Sequence, residues 1–120
     1  MDISTPLKPT ILYILLVLTT EDRHGYGIMQ AVREYSNGSV PLRTGSFYRH
    51  LTHLIDAGWV VESPGRPEDD DPRRGAYYRL TDAGREAVAT ERRRLGALLA
   101  AFPAGSGTVT LPRKRTGTEV

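Results

Sequence analysis

The chain has 120 residues, a length that suits one domain around one hydrophobic core. Its 39% hydrophobic and 25% charged residues are ordinary for a globular protein, and the lack of cysteine excludes disulfides, thiolate metal sites and cysteine nucleophiles, an absence that suits a reducing cytoplasm. The net charge of +2 arises wholly after Phe102, where Arg113, Lys114 and Arg115 outweigh Glu119, so bulk charge does not argue for a nucleic-acid partner.

Pro9 to Thr19 reads as a helix that is apolar nearly all round, with Pro9 tolerated in the first turn. Its longest apolar run, Ile11 to Leu18, is far short of the roughly 20 residues that span a bilayer, so no membrane partner is expected. A helix without a polar face needs neighbours on more than one side. In so small a domain one neighbour is the core and the other is expected to be a second subunit, which puts Ile11, Ile14, Leu15 and Leu18 at a dimer seam.

Glu21 to Gly25 reads as a break, followed by a second helix to about Tyr35 with Ile28, Ala31, Val32 and Tyr35 on one apolar face and Asn37-Gly38 as its stop. Val40-Pro41-Leu42 is a short extended piece. A third helix then follows, with Thr44 as its expected N-cap, Phe47, Leu51, Leu54 and Ile55 as its buried stripe and Gly58 as its left-handed end. Two helices joined tightly, the second sharply bounded, match a helix-turn-helix.

Trp59 to Glu62 and Tyr77 to Leu80 read as the two strands of a hairpin, with a long, mobile tip from Ser63 to Ala76. Thr81 is the expected cap of a last helix running to about Phe102, roughly 30 Å at 1.5 Å per residue. A three-helix core cannot cover that length, so Leu95, Leu98, Leu99 and Phe102 are expected to seek another subunit. From Pro103 onward the periodicity vanishes, and a disordered, mildly basic tail is expected.

The polar side chains of the third helix carry the chemistry. On a helical wheel Ser46, Arg49, Thr52 and His53 lie opposite its apolar stripe. Arginine can donate two bonds to guanine in the major groove, and hydroxyl and imidazole groups can reach base edges or phosphates. Arg43 and Thr44 stand where a helix N-terminus favours a phosphate. Any surface helix has a solvated face, so taken alone these residues leave both readings open. Arg66, Arg73 and Arg74 flank the hairpin tip and Arg79 lies on its second strand, whereas Glu68 to Asp71 set four negative charges in the same loop. His50 and His53 lack a third ligand, and no nucleophile–base set is present, so no metal, cofactor or catalytic site is expected.

Three segments in order, His24-Gly25-Tyr26-Gly27-Ile28, then Thr44 to Leu51, then Tyr77 to Gly84, resemble the PadR family of bacterial regulators over roughly residues 7 to 102. The resemblance implies a winged helix-turn-helix, a two-fold dimer built on the first and last helices, and repression of nearby genes. It implies that Gly45-Ser46-Phe47-Tyr48 opens the recognition helix, with Tyr48 directed toward the DNA backbone. The single C-terminal helix looks like the short-chain subgroup, and small aromatic or drug-like effectors are what such a family senses.

The expected fold is therefore α+β, mostly α. Residues 1–80 form the winged helix-turn-helix, 81–102 a C-terminal dimerisation helix and 103–120 the tail. The expected function is a cytoplasmic, sequence-specific regulator of transcription, a ligand-responsive repressor acting on double-stranded DNA as a homodimer at an inverted repeat. The rival from another class is a winged-helix module that senses a ligand or binds a protein without binding DNA. An enzyme ranks last.

Overall fold

The structure, a computed structural model, describes residues 5–63 and 75–104. Its elements in chain order are α1 (Pro9–Leu18), β1 (Arg23–His24), α2 (Gly25–Tyr35), α3 (Thr44–Asp56), β2 (Val60–Glu62), β3 (Tyr77–Leu80) and α4 (Asp82–Ala101). The fold is α+β and mainly helical, with an antiparallel three-stranded sheet in the order β1-β3-β2. Register is set by Val60 facing Leu80 and Glu62 facing Tyr78 on one side of β3, and by His24 facing Tyr77 on the other. The strand β1 is an addition to the sequence reading, which saw only a break there. Two residues are too few to carry an alternating pattern.

Helix α1 is the hub. It packs against α2, β3 and α4, and Ile11, Ile14, Leu15 and Leu18 are 5%, 0%, 0% and 1% exposed within the single chain. These are the four residues expected at a dimer seam. Three elements of the same chain already satisfy the apolar helix, so no second subunit is needed to cover those four side chains. The large apolar side chains that α1 leaves half-covered are Leu12, Tyr13 and Leu16, which share another side of the helix.

The stops of α2 and α3 are alike, and both were legible. Asn37 takes a left-handed φ of 56° while Gly38 N–H donates to Arg33 O at 2.9 Å and Asn37 N–H to Glu34 O at 3.2 Å. At the end of α3, Gly58 has φ 82°, Trp59 N–H donates to Leu54 O at 3.0 Å and Gly58 N–H to Ile55 O at 3.0 Å. Both are Schellman closures, which use up carbonyls that a helix end otherwise leaves open. Tyr35 and Ile55 depart from the expected stripes, being 50% and 40% exposed. Each sits in the last turn of its helix, where the chain is already turning off the core.

The junction between sheet and α4 is tight. Thr81 Oγ1 accepts from Gly84 N–H at 3.0 Å as the N-cap and donates to Gly58 O at 2.6 Å, so one hydroxyl ties α4 to the end of α3. A Cβ on Gly84 would run into the Trp59 carbonyl oxygen and the Leu80 side chain. Backbone oxygen cannot swing aside as a flexible side chain can. Gly84→Ala should therefore cost about 2–3 kcal/mol of stability, read as a lower midpoint in urea with an unchanged slope.

Glu91 of α4 is a charged residue in the core region, 3% exposed. It accepts from Arg94 Nε at 3.1 Å and Nη2 at 2.6 Å, and from the backbone N–H of Leu7. The Arg94 hydrogen bonds outweigh the burial and hold its carboxyl below the usual range. A depressed carboxyl stabilises the fold above its unfolded pKa, and that stability is lost as pH falls through the lower folded value. In Glu91→Gln, thermal melts should show a lower Tm at neutral pH and a smaller drop on acidification below about pH 4.5.

Candidate nucleic-acid interface

Helix α3 is anchored by Phe47, Leu51 and Leu54, which are 0%, 2% and 0% exposed. Stepping 100° per residue from that stripe brings Gly45, Arg49, Thr52 and His53 to the outside, and all four are exposed. Ser46 is half-buried, its hydroxyl donating back to Arg43 O at 3.2 Å. Thr52 likewise donates to Tyr48 O at 2.9 Å, leaving its hydroxyl oxygen able to accept from outside.

The expected cap at Thr44 is corrected by one residue. Thr44 is the first helical residue, Arg43 is the N-cap, and no side chain caps the helix. The opening N–H groups are thus left to the surroundings, with Arg43, Thr44 and Gly45 all exposed around them. An uncapped positive helix end suits a phosphate. Arg33 of α2 and Arg43 together line a shallow groove of about 320 Å³ at this end of α3.

Tyr48 is 45% exposed and its ring meets Phe47 edge-on at 4.8 Å. Its hydroxyl lies over the start of α2, where a Cβ on Gly25 would collide with it. No pattern in the sequence signals this pairing, because the two residues sit 23 positions apart and neither follows a periodic pattern. His24, just before, caps α2 by accepting Gly27 N–H on Nδ1 at 3.0 Å, and its ring meets Tyr77 edge-on at 5.4 Å. Beside the same corner, burial first, then Tyr48 and Glu62, pushes the Tyr78 phenol above its ordinary pKa.

Arg79 is committed elsewhere. Its guanidinium donates to Asp22 Oδ2 at 3.0 and 3.1 Å, and the same oxygen accepts from Ser63 Oγ at 3.0 Å. This clamp ties both strands of the hairpin base to the link before β1. Arg66, Arg73, Arg74 and the acidic run Glu68 to Asp71 lie outside the described residues.

Two residues that sequence reasoning did not assign to the site stand next to Arg49. His50 and Lys8 share with Arg49 and His53 a cleft of about 510 Å³ between α3 and the segment entering α1. Desolvation by burial, then the charges of Arg49, His53 and Lys8, lower the pKa of His50. Among the described residues no group of three His, Cys, Asp or Glu side chains could hold a metal ion, and no helix is long and apolar enough to cross a membrane.

At its far end α4 is bare. Leu95, Leu98, Leu99 and Phe102 are 38%, 49%, 72% and 57% exposed. Four large apolar side chains on one short stretch of helix form a patch that a soluble monomer rarely leaves in water.

A model of the transcriptional regulator PadR-like family matches residues 14–90. Among curated proteins none matches the chain. RosR of H. salinarum is 30% identical, with 81% of each chain covered and a TM-score of 0.63. The hsRosR-S4 complex is 27% identical, with 84% of this chain and 81% of that one covered and a TM-score of 0.65. A PadR family transcription regulator from Clostridium difficile R20291 is 22% identical, covers 78% and 93% respectively and has a TM-score of 0.64, a likeness of fold.

Proposed function

Because the chain belongs to the PadR-like family of transcriptional regulators, we propose that it is a cytoplasmic homodimeric repressor that holds an inverted-repeat operator with two copies of α3. The observation that carries this reading is the outward face of α3. Arg49 is solvent-exposed on a helix whose opposite side is locked into the core. Such a side chain can enter a major groove without disturbing the fold.

In this reading Arg49 reads a base edge, with Thr52 and His53 beside it and Gly45 allowing close approach. Arg43, Thr44, Ser46 and Tyr48 meet phosphates, as do Arg66, Arg73 and Arg74 from the wing. Leu95, Leu98, Leu99 and Phe102 of α4 form the subunit seam, joined by the half-covered Leu12, Tyr13 and Leu16 of α1 in place of the α1 residues that lie in the core. A small effector would release the operator.

Phosphate contacts dominate affinity in such complexes, and each one neutralised steepens the salt dependence. Binding to a labelled duplex pool should therefore weaken by about a hundredfold or more between about 50 and 200 mM salt, as expected for a protein making several phosphate contacts. A flat salt response would count against the reading. One observation favours the rival, a module that does not bind DNA: up to Phe102 the chain carries as many acidic as basic side chains. Failure to bind the pool at low salt, together with tight binding of a ligand or protein, would select it.

A further inference from the structure

Arg49 and His53 also face the cleft beside α3, and its chemistry is not that of a phosphate seat. The cleft holds about 510 Å³, within the roughly 300–1,000 Å³ of small-molecule sites. Pro6, Leu7 and Ile11 supply apolar wall, and its lining is mainly apolar. Among the described residues, Lys8, Arg49, His50 and His53 supply every charge or potential charge on it, and no acidic side chain lines it. Across the entering segment, the Glu91 carboxylate of α4 is taken up by Arg94 and the Leu7 N–H. That bond also fixes the wall that Leu7 provides.

We propose that this cleft binds a small organic carboxylate with an apolar tail, and that the carboxylate engages Arg49 and so excludes DNA. A bare inorganic anion would leave the apolar wall wet. An uncharged apolar molecule would leave Lys8 and Arg49, crowded beside two imidazoles, without a counter-charge. A carboxylate with a tail of several carbons answers both, the head among Lys8, Arg49 and the histidines and the tail along Pro6, Leu7 and Ile11.

Proton linkage gives the site a signature. With the cleft empty, burial first, then the electrostatic influence of Arg49, His53 and Lys8, disfavours the imidazolium of His50. A bound carboxylate favours it, so binding takes up a proton and tightens as pH falls through the histidine range. The exclusion of DNA rests on the role proposed above for Arg49. The binding itself does not.

Octanoate is the probe, titrated into the full chain without DNA while the imidazole Cε1–H signals of His50 and His53 are followed by NMR. Octanoate should shift both signals saturably, bind at least about tenfold tighter than acetate because of its six extra methylenes, and tighten several-fold from about pH 8 to pH 6. Lys8→Gln and Arg49→Gln should each weaken it about threefold or more. Equal affinity for acetate or inorganic phosphate, equal binding of uncharged octyl glucoside, or octanoate shifts confined to the far end of α4 would overturn the assignment. In a second arm, octanoate at ten times its Kd should raise the apparent Kd for DNA about elevenfold by competition. An unchanged DNA affinity there would overturn the exclusion. The first arm contains no DNA, so it decides the cleft whatever becomes of the operator reading.

Discussion

Arg49→Ala should strip the protein of its preference for an operator while leaving its fold and its dimer as they are. The guanidinium is exposed and makes no hydrogen bond or ion pair among the described contacts of the folded chain, so its loss costs the fold almost nothing. A good bidentate arginine–guanine contact discriminates by about 1–3 kcal/mol, and a dimer carries two. Operator affinity should therefore fall by about two orders of magnitude, toward the level of unrelated DNA, whose binding rests on phosphate contacts and changes little. A gel-shift titration of operator against scrambled duplex reads both quantities at once, with circular dichroism to check the fold. Undiminished selectivity would mean that α3 does not read the bases through this residue.

Leu98→Asp should take the dimer apart. Leu98 is 49% exposed in the single chain, between Leu95 at 38% and Leu99 at 72%, so the folded subunit accepts an aspartate there without burying it. A subunit seam does not. Each copy would bring a carboxylate into an apolar contact with nothing to pair it, and the two-fold arrangement doubles the cost. Burying an unpaired charge is worse than the roughly 1–3 kcal/mol that mutational data give for an unpaired neutral group, so the dissociation constant should rise by about three orders of magnitude or more. Light scattering at micromolar concentration should show a monomer with native circular dichroism. A persistent dimer would move the seam off α4. Monomers hold one half-site each, so DNA binding should weaken in parallel and lose its dependence on half-site spacing.

Local signals in the sequence hold best where the physics is local. The asparagine and glycines that end α2 and α3, and the threonine whose hydroxyl caps α4, act within a few residues and stand where the pattern puts them, whereas the cap expected at Thr44 falls one residue earlier, on Arg43, without a side-chain bond. The stripe of α3 is right at its centre, because Phe47, Leu51 and Leu54 can only face one way if the helix packs at all. Tyr35 and Ile55 failed because periodicity says which side a residue is on and not whether the core reaches that far along the helix.

Readings that depended on distant neighbours were harder. An all-round apolar α1 says that it needs several partners, but not whether these come from its own chain. The structure gives α2, β3 and α4 that role. Likewise Arg79 on a strand looks like a cation for DNA until Asp22, 57 positions away, is found at 3.0 Å. Gly25 under Tyr48 and the buried Glu91 on Leu7 belong to the same class. In each case one partner of a specific pair is visible in the sequence and the other is fixed only by folding. The cleft joining Lys8 to His50 is the functional instance, since no motif links the two residues and only the return of the N-terminal segment to α3 brings them together.

Selection of bound duplexes from a random pool with the full chain tests the central claim most directly. Two copies of α3 on a two-fold dimer should recover an inverted repeat whose half-site centres lie about one helical turn apart, 10–10.5 base pairs, and Arg49→Ala should recover no motif. A pool that stays random, or a single half-site without a symmetric mate, would contradict a dimer that reads DNA through paired copies of this helix.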